Sequence, residues 1–325
     1  MKPELERSLD WQELDAFIAG ARGASFYHGS LWLRSLAEVY GYRLGFITLR
    51  EGGRLMGLLP FAETKRFGLL HRQSLPFGTY GGPAVAPELG EEEGRALTDA
   101  FFAGLGGRVQ RATLVEAPDP ERPEPPASPD SRRLSTQFLD LSCGWEALFA
   151  SRFQKERRRQ IRKAQREGVV VTRSSDPAEV AEYYAIYRQH VSDWGLKWPA
   201  PLAHLTALVA AGEGVRFWVA RYQGALIGGH LNFHFNGTVN AWNGTASKAH
   251  RHLAPSVLLY AVNLEQACAE KERYFNFGGS EGNDPLFEFK AAFGARPVHF
   301  NTHSRRGPLA DWGGRLLAAR SGRRP

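Results

Sequence analysis

The pattern of apolar and polar positions predicts the same group of elements in both halves of this chain. Apolar runs flank a turn glycine, Gly53, so residues 43–61 are predicted to form a strand, a tight turn and a second strand. Residues 216–235 repeat the pattern around Gly224. The repetition predicts two equivalent β-hairpins, each in the sheet of its own half.

Helical periodicity surrounds both hairpins in the same order. Two helices are predicted before each hairpin, at residues 11–21 and 31–40 and at residues 177–194 and 202–211. A helix and a strand are predicted after each hairpin, at residues 91–105 and 111–115 and at residues 255–271 and 274–277. This order is typical of a mixed α/β unit, present here twice.

A segment rich in proline and charge separates the two halves. Because proline lacks an N–H group and fixes φ, residues 116–133 are predicted to be an irregular crossover. We therefore predict an N-terminal domain at residues 1–115 and a C-terminal domain at residues 134–304. A C-terminal helix with a basic tail is predicted at residues 305–325.

Composition indicates a water-soluble protein with anionic partners. The formal net charge of +7 favours nucleic acid, nucleotide-linked substrates, coenzyme A or acidic membrane. Two cysteines are too few for a disulfide framework. Neither a signal peptide at the start nor a long apolar run is visible, so we expect a cytoplasmic location without a transmembrane segment.

The most informative segment is YFNFGGSEGNDPLFEFKAAFG, residues 274–294. It predicts a strand that ends at two glycines, an acidic loop and a short amphipathic segment that carries Lys290. Paired glycines leave backbone N–H groups exposed at the strand end. A lysine just beyond them can stabilise negative charge on a carbonyl oxygen, as an acyl transfer requires.

The order FGGS, then FK-x-x-FG, with RRRQIRKAQREGV upstream, resembles the Fem-type aminoacyltransferases and their GNAT-like acyltransferase relatives. The segments LLPFAETKRFG and LPFGTYGGP are similar to Fem-like proteins encoded with exopolysaccharide and exosortase systems. The resemblance implies a mixed α/β (α+β) fold of two tandem GNAT-like domains. It also implies transfer of an acyl or aminoacyl group to an amine during cell-wall or envelope biogenesis.

The resemblance assigns catalytic roles to residues of the C-terminal motif. It implies that Lys290 stabilises the transferring carbonyl and that Phe289 lines the site. Glu281 and Asp284 are candidate general bases, because an amine nucleophile must lose a proton, and a water chain is the alternative. Substrate contacts at the strand end are predicted for Gly278, Gly279 and Ser280.

Aromatic residues and glycines in both halves are further candidates for substrate binding. Tyr80 and Gly81 follow the first hairpin, and Trp242 and Asn243 follow the second. Such residues suit a cleft for a sugar or peptide, and turn or core packing explains them equally well. The resembled family uses a lysine after a tryptophan of the first domain, and the nearest cation here is Arg34.

Positive charge is concentrated in residues 151–166. On a helix these residues form a cationic ridge, with a solvated face as the alternative, and we select Arg158 and Arg162 as candidate phosphate contacts. Arg251 and Ser256 lie at a predicted helix start, where N–H groups attract phosphate. The glycines of a GNAT pyrophosphate loop are missing there, which argues against ordinary acetyl-CoA binding.

No metal site is predicted. His230 and His234 share one face of a predicted strand, and no third ligand is evident in the sequence.

Two donors, aminoacyl-tRNA and acyl-CoA, remain open, and neither is a permanently bound cofactor. The acceptor is predicted to be an amine on a small molecule, a glycan or a peptidoglycan precursor. Peripheral contact with an anionic membrane is compatible with the charge, and we expect a monomer or weak dimer. The alternative function is a non-catalytic RNA- or polysaccharide-associated binding protein on the same fold.

Overall fold

The computed structural model describes residues 1–308 except 67, 78, 125–130, 194–198 and 281. Its strands are β1 (Glu4–Glu6), β2 (Arg43–Glu51), β3 (Arg54–Arg66), β4 (Leu69–Gln73), β5 (Ala84–Val85), β6 (Val109–Val115), β7 (Ser131–Asp140), β8 (Val170–Ser174), β9 (Val215–Tyr222), β10 (Ala225–Phe235), β11 (Thr238–Ala246), β12 (Tyr274–Gly279) and β13 (Arg296–Arg306). Its α-helices are α1 (Trp11–Ile18), α2 (Ser30–Tyr40), α3 (Glu91–Ala103), α4 (Gly144–Ala147), α5 (Lys155–Arg166), α6 (Pro177–Asp193), α7 (Leu202–Ala211), α8 (Pro255–Ala269) and α9 (Asp284–Ala291).

The chain divides into two units of dense internal contact. The first contains Met1–Leu134 and the described residues from His299, and the second is Ser135–Val298. The domain limits predicted from the sequence, at residues 115, 133 and 304, stay predictions. Most of the predicted C-terminal helix and basic tail lies outside the described residues. Within the described part of the chain, no helix has the length and apolar character needed to cross a membrane.

The first unit contains the first predicted hairpin. β2 and β3 pair antiparallel from Arg43 opposite Glu63 to Glu51 opposite Arg54, which confirms the strand–turn–strand prediction. β4 and β6 are parallel neighbours. The core between this sheet and α3 includes Phe61 and Phe101, both fully buried.

The second unit contains the second hairpin, between β9 and β10. Both turn residues, Gln223 and Gly224, have positive φ, a conformation that matches the twist of a two-residue hairpin. Helices cover both faces of this part of the sheet. On one face, Asn232 of β10 bonds to Asn263 of α8. On the other, a Cβ at Gly229 would meet the ring of Tyr183 of α6.

The strands are hydrogen-bonded in the order β1-β2-β3-β4-β6-β13-β7-β12-β11-β10-β9-β8, with β5 beside β3. The expectation of a separate sheet in each half is therefore wrong. The reason lies in β7 and β13, which continue as extended strands through the limits of the two units. Residues 131–133, predicted to belong to the irregular crossover, begin β7.

Candidate functional site

β11 and β12 are parallel partners over only a short distance. Thr238–Asn240 pair with Tyr274–Asn276, and the pairing ends there. Beyond this point β11 stays paired with β10, whereas β12 stays paired with β7. The two strands therefore part, and residues 241–246 and 277–279 form the two edges of an opening that we call the β11–β12 split.

A β-bulge lies in β11 at the start of the split. The consecutive β10 residues Leu231 and Asn232 pair with Asn243 and Ala241 of β11, so Trp242 is the extra residue. Bulges re-aim side chains and backbone groups and often lie beside active sites. The Trp242 ring is centred 5.3 Å from that of Phe233, and the hydroxyl of Tyr183 donates to Asn243 Oδ1. Both predicted substrate contacts of this strand thus lie at the split.

Lys290 of α9 lies against the end of β12. Its side chain is buried, with 3% exposure, and Nζ donates to the carbonyl oxygens of Gly278 and Gly279 at 2.8 and 2.7 Å. Gly278 has φ +79°, which a glycine adopts without steric cost. The predicted position of the lysine, at the strand end and away from the open surface, is confirmed. Its part in catalysis is a proposal.

A buried amide closes the narrow end of the split. Asn276 Nδ2 donates to Asn240 Oδ1 at 3.1 Å, and these two residues form the last pair of β11 and β12. Asn276 Oδ1 accepts from the Gly278 N–H at 2.9 Å and from Thr136 Oγ1 at 2.6 Å. One side chain therefore joins β11, β7 and the turn that Lys290 supports.

Gln137 of β7 holds the loop between β12 and α9. Its side chain accepts from Ser280 Oγ at 3.1 Å and donates to the Phe287 carbonyl at 3.1 Å. Ser280, a predicted substrate contact, thus has a structural bond as well. Of the two candidate bases, Asp284 lies exposed at the first position of α9, and Glu281 lies outside the described residues.

Arg157 of α5 packs against the motif that carries Lys290. Its guanidinium lies 4.4 Å from the ring centre of Phe289 and 4.9 Å from that of Phe293, and it donates to the Phe289 carbonyl at 3.1 Å. Burial lowers the pKa of Arg157. Phe289 therefore packs against α5 through Arg157. Sequence analysis did not separate Arg157 from its charged neighbours.

The start of α8 has the features of an anion site. Ala254, before Pro255, adopts the left-handed conformation, with φ +55°. It supplies the backbone turn for which the missing glycines were expected. Arg251 is exposed and Ser256 is half-buried in this segment. Lys163 of α5 donates to the His252 carbonyl at 2.9 Å, which brings a further cation to it.

Of the two predicted phosphate contacts on α5, Arg158 forms bonds within the protein. Its Nη1 donates to the carbonyls of Ala150 at 2.9 Å and Phe153 at 2.5 Å, and so closes the π-helical turn Leu148–Arg152. Arg162 is exposed, with its guanidinium 5.4 Å from the ring centre of Phe149. The contact of Arg158 and Arg162 with phosphate stays a prediction.

The predicted substrate contacts of the first unit are packing or surface residues there. Tyr80 is 7% exposed and packs on Tyr27, with ring centres 5.8 Å apart. A Cβ at Gly81 would lie 2.7 Å from Leu75 Cγ, so this glycine permits a close approach. Arg34 is exposed on α2. Core packing, the alternative noted above, accounts for Tyr80 and Gly81, and their contact with substrate stays a prediction.

His230 and His234 lie in different environments. His234 Nδ1 donates to Glu272 Oε1 at 2.8 Å, and Glu270 Oε2 is 3.6 Å away. Among the described residues these three side chains form a group of metal-type ligands, which sequence spacing did not reveal. Arg216 lies 3.8 Å from Glu270 and already supplies positive charge. The group is therefore explained as a hydrogen-bond and ion-pair network.

Buried histidines predict a loss of stability in acid. Burial lowers the pKa of His230 to about 3, against an ordinary value of 6.5, and those of His71 and His204 to about 4. As pH falls, these histidines are protonated in the unfolded chain at a higher pH than in the folded chain. Their contribution to folding stability is therefore complete above the unfolded pKa. It is lost as pH falls towards the folded pKa. We expect His230 alone to lower the free energy of unfolding by roughly 3 kcal/mol between about pH 7 and pH 4, and His71 and His204 to add to this loss.

Denaturant titrations across this range measure the effect. The variant His230→Gln should show a shallower pH dependence than the wild type, because its side chain does not titrate. Equal slopes for the two proteins would contradict the assignment to His230.

Residues 151–291 match a family model described as an acetyltransferase (GNAT) domain. The matched segment contains both edges of the split, the start of α8 and Lys290. The second unit therefore contains the segment that is similar to a GNAT domain, and it has the GNAT fold. A search of curated proteins finds no match.

Solved structures extend the likeness to almost the whole chain. The crystal structure of FemX is similar over 93% of this chain and 97% of its own, with a TM-score of 0.71 and 12% identity. A tandem GNAT protein from the clavulanic acid biosynthesis pathway, solved without acetyl-CoA, is similar over 92% of this chain and 94% of its own, with a TM-score of 0.55 and 20% identity. L-PGS from Bacillus licheniformis is similar over 92% of this chain and 92% of its own, with a TM-score of 0.56 and 13% identity. At these identities the likeness concerns the fold, and it confirms the predicted mixed α/β Fem-like GNAT fold.

Proposed function

We propose that this protein transfers an acyl group from an acyl-CoA thioester to a primary amine, at the β11–β12 split. The observation that carries the proposal is the parting of two parallel strands within the GNAT domain, directly above a buried lysine. The pairing of β11 with β12 ends at Asn240 and Asn276, so a further extended chain can enter between the two strands. The ammonium group of Lys290 supplies positive charge at the strand end.

The donor fits the split by its own chemistry. The arm of coenzyme A is an extended chain with amide groups, and such a chain can pair with an open strand edge as a further strand does. Its pyrophosphate would lie at the start of α8, where N–H groups and the helix dipole attract anions. Arg251 and Lys163 add positive charge close to this helix end.

Acyl transfer at this site forms one bond and breaks another. The amine nitrogen attacks the thioester carbonyl, and the carbonyl oxygen becomes an oxyanion. The positive charge of Lys290, buried at the end of β12, stabilises that charge. The C–S bond then breaks and coenzyme A leaves as a thiolate. The amine proton passes to water or to a carboxylate such as Asp284, which returns it to the thiolate to give the thiol.

We place the acceptor amine on an envelope or exopolysaccharide precursor, a glycan or a small molecule, as the sequence resemblance implies. Aminoacyl-tRNA is the alternative donor. A binding protein without turnover is the alternative function. The intact glycine turn and the buried Lys290 favour catalysis over binding alone.

Titration calorimetry with acetyl-CoA and coenzyme A tests the donor. The variant Ser256→Asp puts a negative charge at the second position of α8, where pyrophosphate would bind. We expect affinity to fall by at least about ten-fold, since like charges now meet at the helix start. The matched control is Ala203→Asp, which places the same charge at the second position of α7.

The control should leave acetyl-CoA affinity unchanged. Saturable binding of aminoacyl-tRNA, without binding of either coenzyme, would replace the proposed donor. Absence of binding to all three ligands would favour the non-catalytic alternative.

A further inference from the structure

The solvent face of α5 carries a line of positive charges. Its members are separated by four, three and four residues, so they fall within an arc of about 60° around the helix. All four are exposed. Ile161 and Ala164, on the opposite face, are buried against the core. The members of this line, the α5 stripe, are Lys155, Arg159, Arg162 and Arg166.

The stripe has little internal compensation. Among the described residues its ion pair is that of Arg159 with Glu156, at 2.9 Å. Successive members stand at i,i+3 or i,i+4, where like charges destabilise a helix. The arginines of the inner side, Arg157 and Arg158, are engaged with backbone carbonyls instead. An anionic partner outside the chain would remove the repulsion along the stripe.

The shape and surroundings of the stripe favour a lipid surface over a nucleic acid. A helix face is convex, and the stripe is about 16 Å long, so a planar array of headgroups can meet all four cations at once. The ring of half-buried Phe149 lies beneath Arg162, and its edge can enter the interface. Basic residues beside exposed apolar groups are typical of membrane-surface helices.

We propose that the α5 stripe binds anionic phospholipid headgroups and holds the second unit against an acidic membrane surface. Each cation near such a surface contributes to the attraction, which weakens as salt rises. The inner face of the same helix contacts Phe289 through Arg157. The Lys290 motif therefore lies about one helix diameter from the bound headgroups. An acceptor amine carried by a membrane lipid would then be near the split, a step that rests on the proposed acyl transfer.

Sedimentation with lipid vesicles tests the proposal on the full-length protein. Vesicles of phosphatidylcholine alone are compared with vesicles that contain increasing phosphatidylglycerol, at low and high salt. We expect binding that grows with phosphatidylglycerol content and falls with salt. The triple variant Lys155→Gln, Arg159→Gln, Arg166→Gln should bind at least about ten-fold more weakly.

A matched control removes the same net charge elsewhere. Lys65→Gln, Arg95→Gln, Arg108→Gln changes three exposed cations of the first unit and should bind vesicles as the wild type does. Equal weakening in both variants, or equal binding to neutral vesicles, would overturn the proposal. Binding of RNA through the stripe without binding of vesicles would also overturn it. Acetyl-CoA affinity should be the same in all three proteins, which separates this result from the proposed function.

Discussion

Lys290→Met is expected to lower kcat of acyl transfer by at least about 100-fold. In the proposed reaction the ammonium group provides the positive charge next to the position where the oxyanion forms. It also donates to the Gly278 and Gly279 carbonyls, so it shapes the turn at the strand end. Methionine keeps the apolar stem of the side chain and removes the charge and both hydrogen bonds.

Acetyl-CoA affinity separates the two roles of Lys290. If charge stabilisation dominates, the variant binds acetyl-CoA normally and loses kcat. If the turn collapses, both quantities fall. Lys65→Met, on the surface of the first unit, is the control and should keep wild-type kinetics. Wild-type turnover by a folded Lys290→Met protein would remove this lysine from the mechanism.

Asn276→Leu is expected to destabilise the protein by roughly 3 kcal/mol and to abolish acetyl-CoA binding. Leucine removes the bonds to Asn240, Thr136 and the Gly278 N–H, which lie in a buried place where water cannot replace them. The narrow end of the split, which we call its apex, and the turn at Gly278 then lose the side chain that joins them. Denaturant unfolding and calorimetry measure the two effects.

Asn240→Leu is the matched variant, because it removes only the bond across the apex. It should lose less stability than Asn276→Leu and bind acetyl-CoA more weakly than the wild type. If Asn276→Leu retained full stability, or bound acetyl-CoA as tightly as the wild type, the apex would have no such role.

The sequence predicted the parts of the site that lie close together along the chain. Lys290, Phe289 and the glycine turn fall within one segment, so local pattern and family resemblance were enough to place them. The left-handed turn before α8 was missed. Ala254 adopts a conformation that propensity assigns to glycine, because the surrounding structure holds it there.

Contacts between distant segments were beyond sequence patterns. Asn276 meets Asn240 and Thr136 only through the register of three strands, and no spacing rule along the chain encodes that register. The contacts of Gln137 with Ser280 and Phe287 likewise join segments that are far apart in the chain. Arg157 and Arg158 are neighbours of identical type, and their different roles depend on which face of α5 each occupies. The prediction of a separate sheet in each half was wrong because β7 begins within the segment that was predicted to be irregular.

The most direct test of the account is transfer of a labelled acetyl group. The protein is incubated with acetyl-CoA labelled in the acetyl carbon and with a mixture of primary amines, and products are detected by mass spectrometry. We predict an N-acetylated amine and an equal amount of free coenzyme A, with both products lost in Lys290→Met. Binding of acetyl-CoA without transfer to any amine, or transfer that Lys290→Met leaves unchanged, would contradict an acyltransferase site at the β11–β12 split.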